Sequence, residues 1–331
     1  MPAQCQVLID LKKMIDHSLE TDNKSWYVLI AGLSCPAATL ALGPGVSLHS
    51  LEQPLTVFDL AAAGAVGFRG WAVLEPAAQG CCTEIESVKD SATLPGYDTL
   101  NRAWLASALL VLRGFTGHMC VACNSYSWNL VAGYQKRTSI FQKQSREKGL
   151  ETERHDTEQK LEPFQGNLLD YHLSLLTNKD SRTGEVTAED AIWIHDHFEI
   201  FNDLAANSQS FRFALEAAID WRYAKDTRSA VARLWSGIEA IFGITSELVY
   251  RISLLSACLL SEHGKPRKEK FEEVKRLYGL RSKLVHGEQL ADDKIASALN
   301  DSYRLLADLL LLSVNRGHVL GQEDFDQAVF W

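Results

Sequence analysis

Two side chains suited to phosphate chemistry lie close together near the C-terminal end of this 331-residue chain. Arg281 and His286 are separated by four residues in the sequence LYGLRSKLVHGE. A guanidinium binds a phosphate through paired hydrogen bonds, and an imidazole exchanges protons near neutral pH. The pair therefore has the chemistry needed to hold a phosphate and to move a proton beside it.

The spacing of this pair leaves its function open. An Arg-x4-His pattern arises by chance roughly once in a chain or two of this size. Positions five apart on a straight helix point about 140° away from each other. Arg281 and His286 therefore converge only if the helix ends between them, or if two copies of the helix face each other. The alternative is structural, with Arg281 pairing at a helix end and His286 favoured there by the helix dipole.

The segment around this pair is rich in basic residues. Residues 265–283 hold eight basic and three acidic residues, whereas residues 205–331 as a whole hold 17 of each sign. The net charge of −9 therefore lies in residues 1–204. The basic stretch is suited to meeting phosphates, and the alternative is a solvated helix face with Glu269, Glu272 and Glu273 as local partners. The eight basic residues are Lys265, Arg267, Lys268, Lys270, Lys275, Arg276, Arg281 and Lys283.

Periodic apolar residues predict a run of helices after residue 205. The expected helices cover 211–224, 227–242, 247–260, 268–285 and 292–314. Gly243, Gly264 and Gly287 stand at the joints, where C-cap glycines are common. Short connections between amphipathic helices favour an antiparallel bundle.

The first part of the chain has a different pattern. Short β-rich runs cover 26–33, 39–51, 70–76 and 118–133, with helical patterns over 58–66 and 98–113. The charged stretch 135–165 is typical of a linker or exposed loop. Thr187 has the character of an N-cap, because acidic residues follow it. We therefore predict an α+β chain, with a mixed, β-rich N-terminal domain over 1–185 and an all-α antiparallel bundle over 186–331.

The segments RLWSGIEAIFG and LYGLRSKLVHG resemble the HEPN superfamily. Its members carry an arginine, four to six residues and a histidine at the end of a helix in a helical bundle. Over roughly residues 205–315, the sequence is most similar to the Apea-like branch of bacterial abortive-infection proteins. Ser282 departs from the pattern, because many nuclease members have Asn, Asp or His directly after the arginine.

The resemblance implies metal-independent RNA cleavage in a paired, dimeric site, with Arg281 and His286 as the catalytic residues. Such cleavage needs a base for the ribose 2′-OH, an acid for the leaving 5′-oxygen and positive charge on the phosphate. One chain supplies one histidine here, whereas two chains supply two histidines and two arginines. The implied products are a 2′,3′-cyclic phosphate and a 5′-OH, and no metal or cofactor is expected.

Neighbouring residues are expected to support RNA binding at this site. Lys283 and Arg276 are placed to position the RNA backbone, and Tyr278 to stack on a base. Ser282, next to the motif arginine, completes this set. Glu239 in the segment WSGIEAIFG is expected to pair with a basic residue such as Arg251 rather than to act in catalysis.

A zinc-like spacing occurs in the first part of the chain. His118, Cys120 and Cys123 are spaced like metal ligands, but a structural zinc site needs four ligands. Cys81 and Cys82 are the possible source of the missing ligand. The plainer interpretation is that these are small apolar side chains in a buried strand.

The segment HDHFE contains another histidine cluster. His195 and Glu199 are spaced to share a helix face and to pair, whereas His197 points elsewhere. A solvated or partner-facing role is the favoured interpretation.

Composition and resemblance together predict a cytoplasmic protein. The N-terminus lacks the apolar core of a secretory signal, no run reaches membrane-spanning length, and seven scattered cysteines fit a reducing compartment. We expect a homodimeric ribonuclease of anti-phage defence, whose N-terminal domain senses a phage-derived trigger and whose target is an RNA such as tRNA. The alternative is an inert HEPN-like bundle that binds nucleic acid or protein and dimerises, which Ser282 and the acidic total favour.

Overall fold

The computed structural model describes residues 25–56, 59, 80–88, 99–133, 175–182 and 184–330. Within these ranges the chain forms a five-stranded sheet, a pair of two-residue strands and eight α-helices. Strands followed by helices confirm the expected α+β class, whereas the HEPN identity of the bundle remains a prediction. The predicted segments 58–66, 70–76 and 135–165 lie outside the described residues, apart from Asp59.

The five-stranded sheet is antiparallel throughout and has the strand order β3-β4-β5-β1-β6. The strands are β1 (Ser25–Ala31), β2 (Leu33–Ser34), β3 (Thr39–Gly43), β4 (Val46–Ser50), β5 (Cys81–Val88), β6 (Met119–Asn124) and β7 (Gly184–Glu185). Strands β3 and β4 pair as a hairpin and confirm the predicted β-rich run over 39–51. The short strands β2 and β7 pair in parallel. The central strand β5 was not predicted, because two glutamates interrupt its apolar pattern.

Eight helices follow or flank the sheet within the described ranges. They are α1 (Thr99–Leu112), α2 (Ala188–Asn207), α3 (Gln209–Asp220), α4 (Thr227–Phe242), α5 (Leu248–Leu260), α6 (Lys265–Val285), α7 (Asp292–Arg316) and α8 (Gln322–Phe330). The predicted helix over 227–242 is confirmed at both ends. The predicted helix 211–224 instead ends at Asp220 and continues as a 3-10 turn over Trp221–Tyr223. Helix α8 was not predicted.

The prediction for Gly264 is wrong. This glycine has a φ of +94° and precedes α6, whereas α5 ends four residues earlier with Ser261 as its C-cap. Pro266 lies in the first turn of α6, where its missing N–H costs no helical hydrogen bond. The helix therefore starts at Lys265 instead of the predicted residue 268.

Helix α2 begins at a capping box, as the sequence around Thr187 predicts. The buried carboxylate of Asp190 accepts hydrogen bonds from the Thr187 hydroxyl (2.8 Å) and from two guanidinium groups. Arg182 contacts it at 2.6 and 2.9 Å, and Arg113 at 2.8 and 3.1 Å. Because Arg113 follows α1, this cluster ties the first turn of α2 to the end of α1.

One hydrophobic cluster extends across the predicted boundary between residues 185 and 186. It contains Val28 and Ile30 of β1 and Leu109 of α1, together with Phe198 of α2 and Leu306 of α7. The described parts of the two predicted domains therefore pack on each other through a shared core. The division into two domains stays a prediction.

Candidate active site

Helix α6 ends in a Schellman motif that makes His286 its C-cap residue. Gly287 has a left-handed φ of +82°, and its N–H donates to the carbonyl of Leu284 at 3.2 Å. The N–H of Glu288 donates to the carbonyl of Lys283 at 3.0 Å. Two carbonyls of the last turn are thereby satisfied by the backbone alone. The predicted helix end at Gly287 is confirmed.

The side chain of Arg281 extends from α6 toward α4 and is 23% exposed. Its Nη2 lies 3.2 Å from Oε1 of Glu239, and its guanidinium lies over the ring of Tyr278, 5.4 Å from the centroid. The Glu239 contact is an ion pair without hydrogen-bond alignment. Arg281 Nε and Glu239 Oε1 are consequently buried without a hydrogen-bond partner. Glu239 pairs with a basic residue, as expected, but the partner is Arg281 instead of Arg251, because α6 packs on α4.

His286 is exposed, and its side chain forms no hydrogen bond or ion pair with any described residue. Every residue from Arg281 to Val285 is helical and His286 is the C-cap, so the helix does not break before it reaches His286. The two positions therefore remain about 140° apart around the helix axis. Of the two ways in which the pair can converge, the meeting of two chains is the one compatible with this geometry.

Tyr278 is not available to stack on a base. It is only 9% exposed, and its ring packs edge-on against Trp235, with centroids 5.0 Å apart. The indole of Trp235 in turn donates a 3.0 Å hydrogen bond to the hydroxyl of Ser302 in α7. The predicted stacking role is wrong, because Tyr278 lies on the core-facing side of α6, where its ring contacts the guanidinium of Arg281.

The other predicted supporting residues surround the helix end. Arg276 is exposed and forms no ion pair with a described residue. Lys283 lies 3.9 Å from Glu288, with both side chains about half exposed. Ser282 is partly buried, and its carbonyl accepts the N–H of His286 at 3.0 Å.

The basic segment 265–283 is partly neutralised within the chain. Lys265 pairs with Glu269 at 3.6 Å, and Lys270 pairs with Glu273 at 3.1 Å. Arg267 donates to backbone carbonyls of α5 and α8. Two of the three glutamates therefore act as the local partners that the structural alternative expects. Within the described chain, the cations of this segment that form no ion pair or hydrogen bond are Lys268, Lys275 and Arg276.

The zinc-like cluster contains a histidine whose two ring nitrogens are both occupied. His118 Nδ1 lies 2.7 Å from the carbonyl of Phe115, and Nε2 lies 2.7 Å from the hydroxyl of Ser107. These partners assign the proton to Nδ1 and let Nε2 accept from Ser107. Burial, together with the charge of Arg222, lowers the pKa of His118 to about 3. Among the described residues, no group of three or more His, Cys, Asp or Glu side chains is arranged to hold a metal.

In the HDHFE segment of α2, His195, Asp196 and Glu199 are exposed and His197 is partly buried, whereas Phe198 lies in the core. His195 Nδ1 lies 3.7 Å from Asp196 rather than beside Glu199, so the expected pairing is not formed. His197 stacks on Trp193, with ring centroids 4.3 Å apart, and its Nδ1 lies 2.7 Å from the Trp193 carbonyl. These contacts are local to one helix.

An aromatic pair between α5 and α6, formed by the exposed Tyr250 and the partly buried Phe271, is not predicted from the sequence. Tyr250 is 58% exposed, and its ring centroid lies 5.8 Å from that of Phe271. The available signal was an aromatic residue at a position of α6 that its apolar stripe leaves outside the core. Lys275 lies over the Phe271 ring, 5.7 Å from the centroid.

Comparison of the chain with protein-family models, with curated proteins and with solved structures finds no significant match. Among the helices that the structure describes, none is both long enough and apolar enough to cross a membrane. The resemblance to the HEPN superfamily consequently depends on the Arg-x4-His motif, the surrounding sequence and the helical context of Arg281 and His286.

Proposed function

We propose that this protein is a homodimeric, metal-independent endoribonuclease of HEPN type, with Arg281 and His286 of both chains in one site. The observation that carries the proposal is the placement of an exposed imidazole, which pairs with none of the described residues, at the end of α6, about one and a half turns beyond a partly exposed guanidinium. A second chain is required, because one chain holds the two side chains on different sides of the helix.

The reaction uses the two histidines in complementary roles. One His286 accepts the proton of the ribose 2′-OH, whose oxygen forms a bond to phosphorus. The other His286 donates a proton to the 5′-oxygen as the bond between phosphorus and that oxygen breaks. The arginines stabilise the negative charge that builds on the phosphate in the transition state. The products are a 2′,3′-cyclic phosphate and a 5′-OH.

The ion pair between Arg281 and Glu239 governs how the guanidinium meets a phosphate. The carboxylate occupies Nη2, whereas Nε has no hydrogen-bond partner. The ion pair therefore holds the guanidinium in one orientation, and a phosphate can reach only its exposed part, because Nε is buried. Glu239 orients the guanidinium and also repels an approaching phosphate, because its carboxylate lies 3.2 Å from Nη2.

A cleavage assay with end-group analysis tests the proposal. Wild-type protein is expected to cut labelled RNA in the presence of EDTA and to leave cyclic phosphate ends, whereas Arg281→Ala and His286→Ala are expected to lose about 100-fold or more of the rate. Lys225→Ala, an exposed lysine between α3 and α4, is the matched control. Equal rates for His286→Ala and the control would remove the catalytic assignment.

The dimer is tested independently of cleavage. A cysteine introduced at Val285, which is 48% exposed beside His286, is expected to cross-link two chains if the ends of their α6 helices meet. A monomer at all concentrations, with or without RNA, contradicts the paired site. Expression in a bacterial host is expected to be toxic or phage-protective for the wild type and neutral for His286→Ala. The proposed cellular target is an RNA such as tRNA. The proposed sensor of the trigger is the N-terminal region.

A second candidate function is an inert HEPN-like module that binds nucleic acid or protein and dimerises. It is favoured by Ser282 after the motif arginine and by the pairing of Arg281 with Glu239, which takes up part of the guanidinium. In that case binding and dimerisation are retained and no variant of Arg281 or His286 changes an RNA cleavage rate or the growth of the host.

A further inference from the structure

One side of α6 carries two lysines that form no ion pair with a described residue, an aromatic residue and the proposed catalytic histidine in a single line. Steps of three and four residues keep these positions within about 80° around the helix axis. The line, which we name the α6 track, consists of Lys268, Phe271, Lys275, Gly279, Ser282 and His286. Of the four buried residues of α6, Leu277 and Leu284 lie opposite the track, whereas Val274 and Tyr278 lie next to its Phe271 edge. At about 1.5 Å per residue the track is about 27 Å long.

The aromatic part of the track extends onto α5. Phe271 meets Tyr250 edge-on, at an interplanar angle of 72°, and Tyr250 remains 58% exposed. Val249 beside it is 40% exposed. A ring held by a neighbouring ring but left open on the solvent side is a stacking surface for a flat ligand such as a nucleobase.

The charge of the track is complementary to a phosphate backbone. Lys268 and Lys275 are exposed and have no carboxylate within ion-pair distance among the described residues. Glu272 is the one acidic residue of α6 that lies beside the track, about 40° from Lys268 around the axis. A side chain added at Gly279 would meet nothing within 4 Å, so the surface is open between Lys275 and Ser282.

We infer that the α6 track binds single-stranded RNA and leads the strand to His286. Lys268 and Lys275 contact phosphates, and a base stacks on Tyr250. Unpaired bases are required, because a base within a duplex has no free face to offer to this ring. Since the inference rests on the proposed RNA cleavage at His286, it adds the path of the substrate and the strandedness that the site selects.

Binding is measured with the full chain carrying His286→Ala, so that the probe stays intact. The probe is a short fluorescein-labelled oligouridine followed by fluorescence anisotropy. Tyr250→Ala in this background is expected to raise the Kd about 5-fold to 100-fold, the range found for loss of one stacked base. Phe213→Ala removes an aromatic side chain, 38% exposed on α3, and is expected to change the Kd by less than about twofold.

The electrostatic contribution to RNA binding is measured from the salt dependence of the binding constant. Lys275→Ala is expected to reduce the slope of log K against log salt by about 0.7, and the exposed Lys225→Ala is expected to leave it unchanged. Glu272→Gln is expected to tighten binding, a result that damage to the fold cannot produce. Effects of Tyr250→Ala and Lys275→Ala no larger than those of Phe213→Ala and Lys225→Ala would overturn the inference, as would tighter binding of duplex RNA than of the single strand.

Cleavage and binding separate the two proposals. If wild-type protein does not cut RNA but oligouridine binding depends on Tyr250 and Lys275, the catalytic proposal fails and the track is supported. If cleavage requires His286 but the track variants bind and cut RNA like their controls, the catalytic proposal stands and the track is overturned.

Discussion

Tyr303 in α7 donates a 2.6 Å hydrogen bond from its hydroxyl to the backbone carbonyl of Val111 in α1. The tyrosine is 5% exposed, and its ring packs against Trp221 with centroids 5.6 Å apart. Burial raises the pKa of Tyr303, so its hydroxyl keeps its proton and remains a donor. The bond joins the helical bundle to the helix packed on the sheet.

Tyr303→Phe is expected to lower the free energy of unfolding by about 0.5–1.5 kcal/mol, the net contribution of one hydrogen bond, because the Val111 carbonyl still accepts the N–H of Gly114 at 2.8 Å. Urea unfolding of the full chain measures the change. Tyr250→Phe removes a hydroxyl from an exposed ring and is expected to cost less than about 0.5 kcal/mol. Equal losses for the two variants would show that the Tyr303 hydroxyl makes no specific contribution.

The contact between Tyr303 and Val111 illustrates which parts of the fold follow from sequence. Apolar periodicity predicts that both residues lie in helices, and the bounds of α4 and α7 come close to those predicted. It does not identify partners, and this contact spans 192 positions. Strand β5 escapes prediction for another reason: the buried Glu84 is satisfied by hydrogen bonds from Ser127 and Trp128, which only the folded chain brings to it.

His118 is expected to make the protein sensitive to acid. Burial and the nearby Arg222 lower its pKa to about 3, against an ordinary value of about 6.5 in the unfolded chain. Between these values the unfolded state binds a proton that the folded state excludes, so stability falls as the pH falls. The expected loss from this group is about 1 kcal/mol per pH unit below about pH 6.5.

Urea unfolding between about pH 5 and pH 7 measures this dependence, in a range where most carboxylates stay ionised. His118→Gln is expected to have lower stability but a shallower slope of unfolding free energy against pH. His263→Gln changes an exposed histidine and is expected to keep the wild-type slope. A wild-type slope in His118→Gln would mean that another group causes the acid sensitivity.

The candidate site is predictable from sequence in its chemistry but not in its contacts. Arg281 and His286 stand out by type and spacing, and Gly287 marks the helix end. Tyr278 lies four residues after Val274 in the apolar stripe of α6, so the helical period favours its burial and conflicts with a stacking role. The partner of Glu239 depends on how α6 crosses α4, and local sequence carries no information on that packing.

Gly43 at the end of β3 is required by the packing of α2 on the sheet. A Cβ atom at this position would lie 2.5 Å from the ring of Phe198. Gly43→Ala is therefore expected to destabilise the fold by about 1–3 kcal/mol, as overpacked core substitutions do. Phe198→Leu in the same chain is expected to relieve part of that loss, and a double-mutant cycle of urea unfolding measures the coupling. Additive losses would show that contact with the Phe198 ring does not cause the loss in Gly43→Ala.

Glu239→Gln tests how the ion pair with Arg281 affects phosphate binding. The substitution keeps the shape of the side chain but removes a negative charge 3.2 Å from Nη2 of Arg281. Because a partly exposed pair contributes only about 1 kcal/mol or less, the fold is expected to tolerate the change. RNA affinity in the His286→Ala background is expected to rise about 3-fold to 10-fold, since the phosphate no longer meets the repulsion of the carboxylate. Glu262→Gln, in an exposed position after α5, is the control. Weaker binding by Glu239→Gln would instead mean that the carboxylate is needed to orient the guanidinium, and that its positioning outweighs its repulsion.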